Sequence, residues 1–266
     1  MKIMSISKFK FFQVKPRFSK ASIVIFFVFC MQTLFLSVCG TARAQIVEPM
    51  VYELAPLGNE SSIDMLVKNT KNSSATYELL AKKISYDEYG EESLTPADDD
   101  FLIYPPFTLI EAGKAQRIKI KYVGEPVLES SLAYRIIVAE LPVDLSGGDV
   151  SGVAVGVNFS TLCYVSPNSA EPTVNVSAIS REANGNWLVA IENTGNRYSR
   201  LSDSTIEFSS VGDANNKKIL SELEIGDYFS KNTVAPNSKL VVSLRPLDGF
   251  KPETTQITIT EARSLR

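Results

Sequence analysis

Short stretches of alternating apolar and polar residues recur along the chain, and they predict β-strands rather than helices. The clearest alternation lies at residues 117–123, where Ile118, Ile120 and Tyr122 are separated by basic residues. A period of two places successive side chains on opposite faces of a strand. No stretch shows the period of a convincing amphipathic helix. The pattern therefore predicts an all-β chain.

A short proline-bounded segment, residues 167–172, separates two sets of predicted strands. The first set is 47–54, 63–68, 75–85, 101–107, 117–123, 132–143 and 153–167. The second set is 173–179, 187–192, 204–208, 240–244 and 256–260. Residues 75–85 alternate less cleanly and are compatible with a helix, but the strand signals around them favour a strand, and residues 87–100 are predicted to be an acidic loop. Together the two sets predict two all-β sandwiches joined by a short hinge.

One predicted strand has an unusual character. Val153, Val155, Val157 and Phe159 form an apolar row that alternates with small or polar residues, directly after a glycine-rich loop. This composition favours a strand at a sheet edge. An apolar strand at an edge is an aggregation hazard unless it is covered or is used to pair with another chain. Two interpretations stay open at this point, namely an ordinary core strand of a sandwich and a strand that pairs with a second protein.

Residues 1–44 have the composition of a secretory signal. Six basic residues precede an apolar run at 21–38, and Ala42-Arg43-Ala44 forms a small-residue cleavage site. We therefore expect the mature chain to begin at Gln45 and to have no membrane span. The alternatives are a lipidated Cys39 and an uncleaved membrane anchor.

Charge and composition exclude several classes of function. Seven of the 27 basic residues and none of the 30 acidic residues precede Gln45, so the mature chain would be acidic, which argues against binding of nucleic acid. The chain has no histidine, which removes Ser-His-Asp and Cys-His catalysis and the commonest zinc sites. Cys163 would be the one cysteine left, and its apolar neighbours favour a buried side chain over a reactive thiol. We expect no enzyme activity, no cofactor and no metal site.

Several motifs occur in the order that is typical of the PapD-like periplasmic pilus chaperones. In the first set of strands they are Tyr104-Pro105-Pro106, the turn at 110–114 with the alternating strand after it, and the segment 134–142, which ends in Glu-Leu-Pro. Weaker matches follow at 193–198 and 247–250. The chain therefore resembles this family over nearly all of residues 47–259, more strongly up to Pro167 than beyond it.

The resemblance implies two immunoglobulin-like β-sandwich domains, residues 45–166 and 167–266, joined at an angle by a short hinge. It implies a periplasmic chaperone that stabilises pilus or fimbrial subunits by donor-strand complementation and delivers them to an outer-membrane usher. In that mechanism the chaperone lends a strand to a subunit that lacks one. The resemblance implies that Val153, Val155, Val157 and Phe159 are the donor residues.

The chain also departs from the family pattern. Neither the first strand, 47–56, nor the end of the donor strand, 159–167, carries the basic residues with which family members anchor the subunit's terminal carboxylate. Glu140 and Asp248 fall where the family keeps acids that face the hinge. The alternative class is a secreted β-sandwich structural subunit or a surface adhesion protein, which would typically be one incomplete sandwich with an exposed N-terminal extension.

Overall fold

The computed structural model describes residues 45–141, 156–229 and 231–261. In its first half the strands are β1 (Ile46–Glu48), β2 (Val51–Leu54), β3 (Ser62–Lys68), β4 (Ala75–Tyr86), β5 (Glu92–Pro96), β6 (Phe101–Tyr104), β7 (Phe107–Ile110), β8 (Ala115–Tyr122), β9 (Leu132–Leu141) and β10 (Asn158–Val165). The second half contains β11 (Val174–Arg181), β12 (Trp187–Asn193), β13 (Ser199–Arg200), β14 (Ser204–Ser210), β15 (Asp213–Ile219), helix α1 (Glu222–Tyr228), β16 (Thr233–Val234), β17 (Ser238–Leu244) and β18 (Thr255–Glu261). Every stretch predicted to be a strand contains one.

Two sheets form the first sandwich. A four-stranded sheet has the order β1-β3-β8-β6, and a larger sheet has the order β2-β10-β9-β4-β5, with β7 paired to β4 beyond the end of β5. The alternation at 117–123 has the predicted sense, because Ile118, Ile120 and Tyr122 are buried between the sheets while the basic residues face outward. The fully buried Tyr134 and Ile136 of β9 pack in the same core from the opposite sheet.

Strand β10 is paired differently along its two edges. On one edge it pairs antiparallel with β9 over its whole length, and on the other it pairs parallel with β2 only over Leu162–Val165. The predicted edge position is therefore wrong for residues 162–165, because β2 covers them. Among the described strands, residues 158–161 have β9 as their one neighbour, so this half of β10 is an open edge. Val153 and Val155 lie outside the described residues.

The second sandwich packs the sheet β11-β12-β17 against the sheet β15-β14-β18, with a short β13-β16 ribbon beside them. Trp187 and Ile191 of the first sheet and Phe208 of the second are all buried in its core. This core shares no residue with the core of the first sandwich.

Several described elements lie outside the predicted strands, namely β5, α1, β13, β15, β16 and most of β7. Strand β5 lies inside the predicted acidic loop, and all five of its residues are exposed, so it has no apolar alternation to reveal it. Helix α1 has only seven residues, which is too short for a helical period to be visible. Its start does carry a local signal, because Ser221 and Glu224 form a capping box, the Ser-x-x-Glu pattern of a helix N-terminus.

We expect Gly195→Ala to destabilise the protein by about 2 kcal/mol or more, because a Cβ there would lie 2.6 Å from the backbone nitrogen of Thr173. The backbone of Thr173 cannot rotate away from the added methyl group as a flexible side chain could. Gly226→Ala is the matched control, since nothing lies within 4 Å of a Cβ added at Gly226 and alanine is a better helix former than glycine. Urea denaturation of both variants measures the difference, and equal free energies of unfolding would contradict the expectation.

Candidate functional site

The apolar row of β10 runs from the core of the first sandwich out to its surface. Cys163 and Val165 are fully buried, and Phe159 is partly buried and packs against the same core. Val157 continues the row beyond the start of β10 and is 42% exposed. Of the predicted donor residues that the structure describes, Val157 is therefore exposed, whereas Phe159 contributes to the protein's own core.

Glu140 lies at the carboxyl end of β9, next to the start of β10. Its carboxylate accepts hydrogen bonds from Lys71 Nζ (2.5 Å), Gln45 Nε2 (3.2 Å) and the backbone N–H of Val157 (3.3 Å). Only 11% of its side chain is exposed. Burial raises the pKa of Glu140, but the three hydrogen bonds and the charge of Lys71 outweigh it, so that the pKa is lowered overall.

The two acids expected at the hinge are not brought together. The sandwiches meet near Ser131, at the start of β9, whereas Glu140 lies roughly 30 Å along that strand at its other end. Gln45, Lys71 and Val157, which bind the Glu140 carboxylate, all belong to the first sandwich. Asp248 is exposed in the turn after β17, where its charge adds to the hydrogen bond with Glu224 that raises the pKa of Lys218.

A buried ion pair joins the two sandwiches instead. Arg197 donates a short hydrogen bond to Glu53 of β2, and the Glu53 side chain is only 3% exposed. Beside this pair, the backbone N–H of Tyr198 donates a 2.8 Å hydrogen bond to the hydroxyl of Ser131. The N–H of Ser131 also donates to the carbonyl of Asn196 at 2.9 Å.

Three tyrosines pack together across the same contact. The ring of Tyr198 lies 5.1 Å from that of Tyr164 and 5.9 Å from that of Tyr86, centroid to centroid. Burial raises the pKa of Tyr164 to about 12, so its hydroxyl stays protonated and lies 3.4 Å from that of Thr233. These contacts join residues far apart in sequence, which is why periodicity did not reveal them.

The structure confirms the buried position of Cys163, whose thiol is fully enclosed and has its pKa raised by burial. Within the described ranges, no three Cys, Asp or Glu side chains are grouped closely enough to hold a metal ion. None of the described helices is long and apolar enough to cross a membrane.

Removing the ion pair should loosen the contact between the sandwiches. We expect Arg197→Met to lower the free energy of unfolding by about 3 kcal/mol, because it removes a cation from a buried carboxylate. The control is Arg181→Met, which breaks the exposed 3.7 Å pair with Glu253 and should cost at most about 0.5 kcal/mol. Guanidinium denaturation measures both, and similar losses would show that the buried pair is no stronger than a surface pair.

Acid should weaken the contacts of Glu140. Because its folded-state pKa is lowered, its contribution to stability is present above the ordinary pKa of a glutamate and is lost as the pH falls through the folded-state value. Lys71 and the buried Tyr77, whose pKa is raised by burial and by the Glu140 charge, are the ionisable groups that interact with it. The stability difference between wild type and Glu140→Gln, measured in urea, should shrink from pH 7 to about pH 3. A difference that does not change with pH would contradict this.

Comparisons with known proteins find similarity in structure rather than in sequence. No protein-family model and no curated protein matches the chain. The crystal structure of the class 5 fimbriae chaperone CfaA is similar over 82% of this chain and 99% of its own, with 18% identity and a TM-score of 0.52. That of the YadV chaperone is similar over 82% and 92%, with 14% identity and a TM-score of 0.52.

A complex from the archaic chaperone-usher Csu pili of Acinetobacter baumannii, between the chaperone CsuC and the tip adhesion subunit CsuE, contains a further similar chain. The match covers 84% of this chain and 100% of that one, with 14% identity and a TM-score of 0.52. Since the likeness extends across both sandwiches at such low identity, the chain has the two-domain β-sandwich fold of the fimbrial chaperones in a divergent sequence.

Proposed function

We propose that the protein is a periplasmic chaperone that binds fimbrial subunits by donor-strand complementation. The observation that carries the proposal is the open edge of β10 at residues 158–161, with its apolar row continuing to the exposed Val157. The fold supports the same class of function, because the similar solved structures include fimbrial chaperones.

The open edge supplies what strand pairing needs. On its unpaired side, β10 presents backbone N–H and C=O groups that an incomplete sheet in a subunit can bind. Each backbone hydrogen bond contributes about 0.5 to 1.5 kcal/mol net. We propose that Val153 and Val155 extend the row of Val157 into the subunit. Burial of each side chain there would contribute about 1.5 to 3 kcal/mol to the free energy of binding.

The row reaches the subunit because it begins in the chaperone's own core. Phe159 packs against that core, so the strand is held at its base while the residues before it are offered to the partner. Phe159 therefore anchors the strand in the protein's own core, and the three valines are the donor residues. This arrangement also accounts for the alternation along 153–159, since one face of the strand serves two successive cores.

A fixed arrangement of the two sandwiches favours this function. The ion pair of Glu53 with Arg197 and the tyrosine cluster hold residues 45–166 against 167–266, which we propose to be the two domains. We propose that Gln45 begins the mature chain in the periplasm. The bound subunit would then be delivered to an outer-membrane usher, and the exposed Phe107 and Leu109 of β7 give the first domain an apolar surface for a second partner.

We expect Val155→Asp to abolish capture of the subunit and to leave the free protein folded. A charge on an exposed strand costs little, whereas the same charge buried in the subunit without a partner costs several kcal/mol. Val127→Asp is the control, because Val127 is 77% exposed and lies near Pro167, past the end of β10 that is opposite to the open edge. Co-purification with a subunit encoded beside this protein, together with thermal melting, measures the two effects. Retained capture would refute the donor assignment, and a collapsed melt would favour an ordinary core strand.

A further inference from the structure

Three separate segments converge on the carboxylate of Glu140. Gln45 reaches it from the residue before β1, Lys71 from the turn between β3 and β4, and Val157 from the residue before β10. We call Gln45, Lys71, Glu140 and Val157 the carboxylate clamp. All four lie at the end of the first sandwich where the open edge of β10 begins.

Among the described residues, the pairing between β9 and β10 extends as far as the clamp. Asn158 lies opposite Ala139 and Phe159 opposite Val138, so Val157 would come next, opposite Glu140. The N–H of Val157 instead donates to the side chain of Glu140, and β10 begins at Asn158. The N–H of Val157 is thereby bound by a side chain instead of by a carbonyl of β9.

The preceding residue also comes close to the end of β9. A Cβ on Gly156 would lie 2.9 Å from the carbonyl oxygen of Glu140, which is a backbone atom. Glycine is therefore the residue that allows this approach without a shift of the backbone. This close approach is independent of the hydrogen bonds of the clamp and marks the same place on the strand.

Lys71 is itself held in position by a rigid turn. The fully buried Asn69 donates from its side-chain amide to the carbonyls of Ser73 (2.8 Å) and Ile110 (2.9 Å). Its side-chain oxygen accepts the backbone N–H of Lys71 at 3.0 Å. The turn therefore fixes the backbone of Lys71, and the ion pair with Glu140 holds the end of its side chain.

We infer that Glu140 is a positioning residue that sets the point where β10 leaves its own sheet, and with it the register in which the preceding residues are presented to a subunit. A slip of one residue would turn the apolar row to the opposite face of the strand. The carboxylate prevents that slip by binding one particular N–H. The inference rests on the proposed function for its consequence, but the clamp itself belongs to the free protein.

Amide hydrogen exchange of the purified protein, followed by NMR, tests the clamp without any subunit. Glu140→Leu keeps the approximate size of the side chain and removes the acceptor, so exchange of the Val157 amide should become about tenfold faster or more. Glu140→Gln keeps one acceptor oxygen, so its exchange rate at Val157 should lie between those of the wild type and Glu140→Leu. Asp64→Leu is the control, because it breaks the exposed 3.4 Å pair with Lys119 on the other sheet and should leave Val157 unchanged.

Subunit capture tests the consequence. Glu140→Leu and, independently, Gly156→Ala should each slow capture by about tenfold while Asp64→Leu captures like wild type. Capture by the wild type tests the proposed function, and the difference between wild type and variants tests the clamp. Unchanged exchange at Val157, or faster exchange with unchanged capture, would overturn the inference. Should Glu140→Leu fail to fold, Glu140→Gln and Gly156→Ala decide the matter by the same two measurements.

Discussion

The unequal pairing of β10 is the constraint on which the rest of the structure depends. Along β9 the strand is bonded over its full length, but β2 covers only Leu162–Val165. The covered half places Cys163 and Val165 in the core, and the other half has no second neighbour among the described strands. A fully covered strand would offer nothing to a partner, and a fully open one would lack a rigid base.

The base of that strand is stabilised from both sides. Inside the first sandwich, Phe159 packs against the shared core and Glu140 binds the N–H of Val157. On the outer face, Tyr164 packs against Tyr198 of the second sandwich, next to the buried pair of Glu53 and Arg197. The second sandwich thus supports the strand at the end opposite to the open edge, which gives it a role in the proposed function.

The acidic residues illustrate how position along a strand changes their role. Glu140 and Glu53 are both largely buried, yet the first serves the open end of the sheet and the second serves the contact between the sandwiches. Each is compensated by a cation from a distant part of the chain, as burial of a carboxylate requires. The motif correctly predicts that Glu140 lies on β9, but Glu140 lies at the end of that strand away from the second sandwich. A sequence motif carries no information on which neighbour packs against which end of a strand.

The sequence by itself determined the all-β class, the two sets of strands and the apolar row that ends at Phe159, because period-two alternation depends only on which face of each strand is buried. It did not reveal β5, whose residues are all exposed, or α1, which is too short to show a period. Only the tertiary structure decided that β2 covers half of β10, that Arg197 pairs with Glu53, and that Glu140 binds Val157. Those features join residues up to 144 positions apart, and such pairings follow from how the strands are brought side by side rather than from any local pattern.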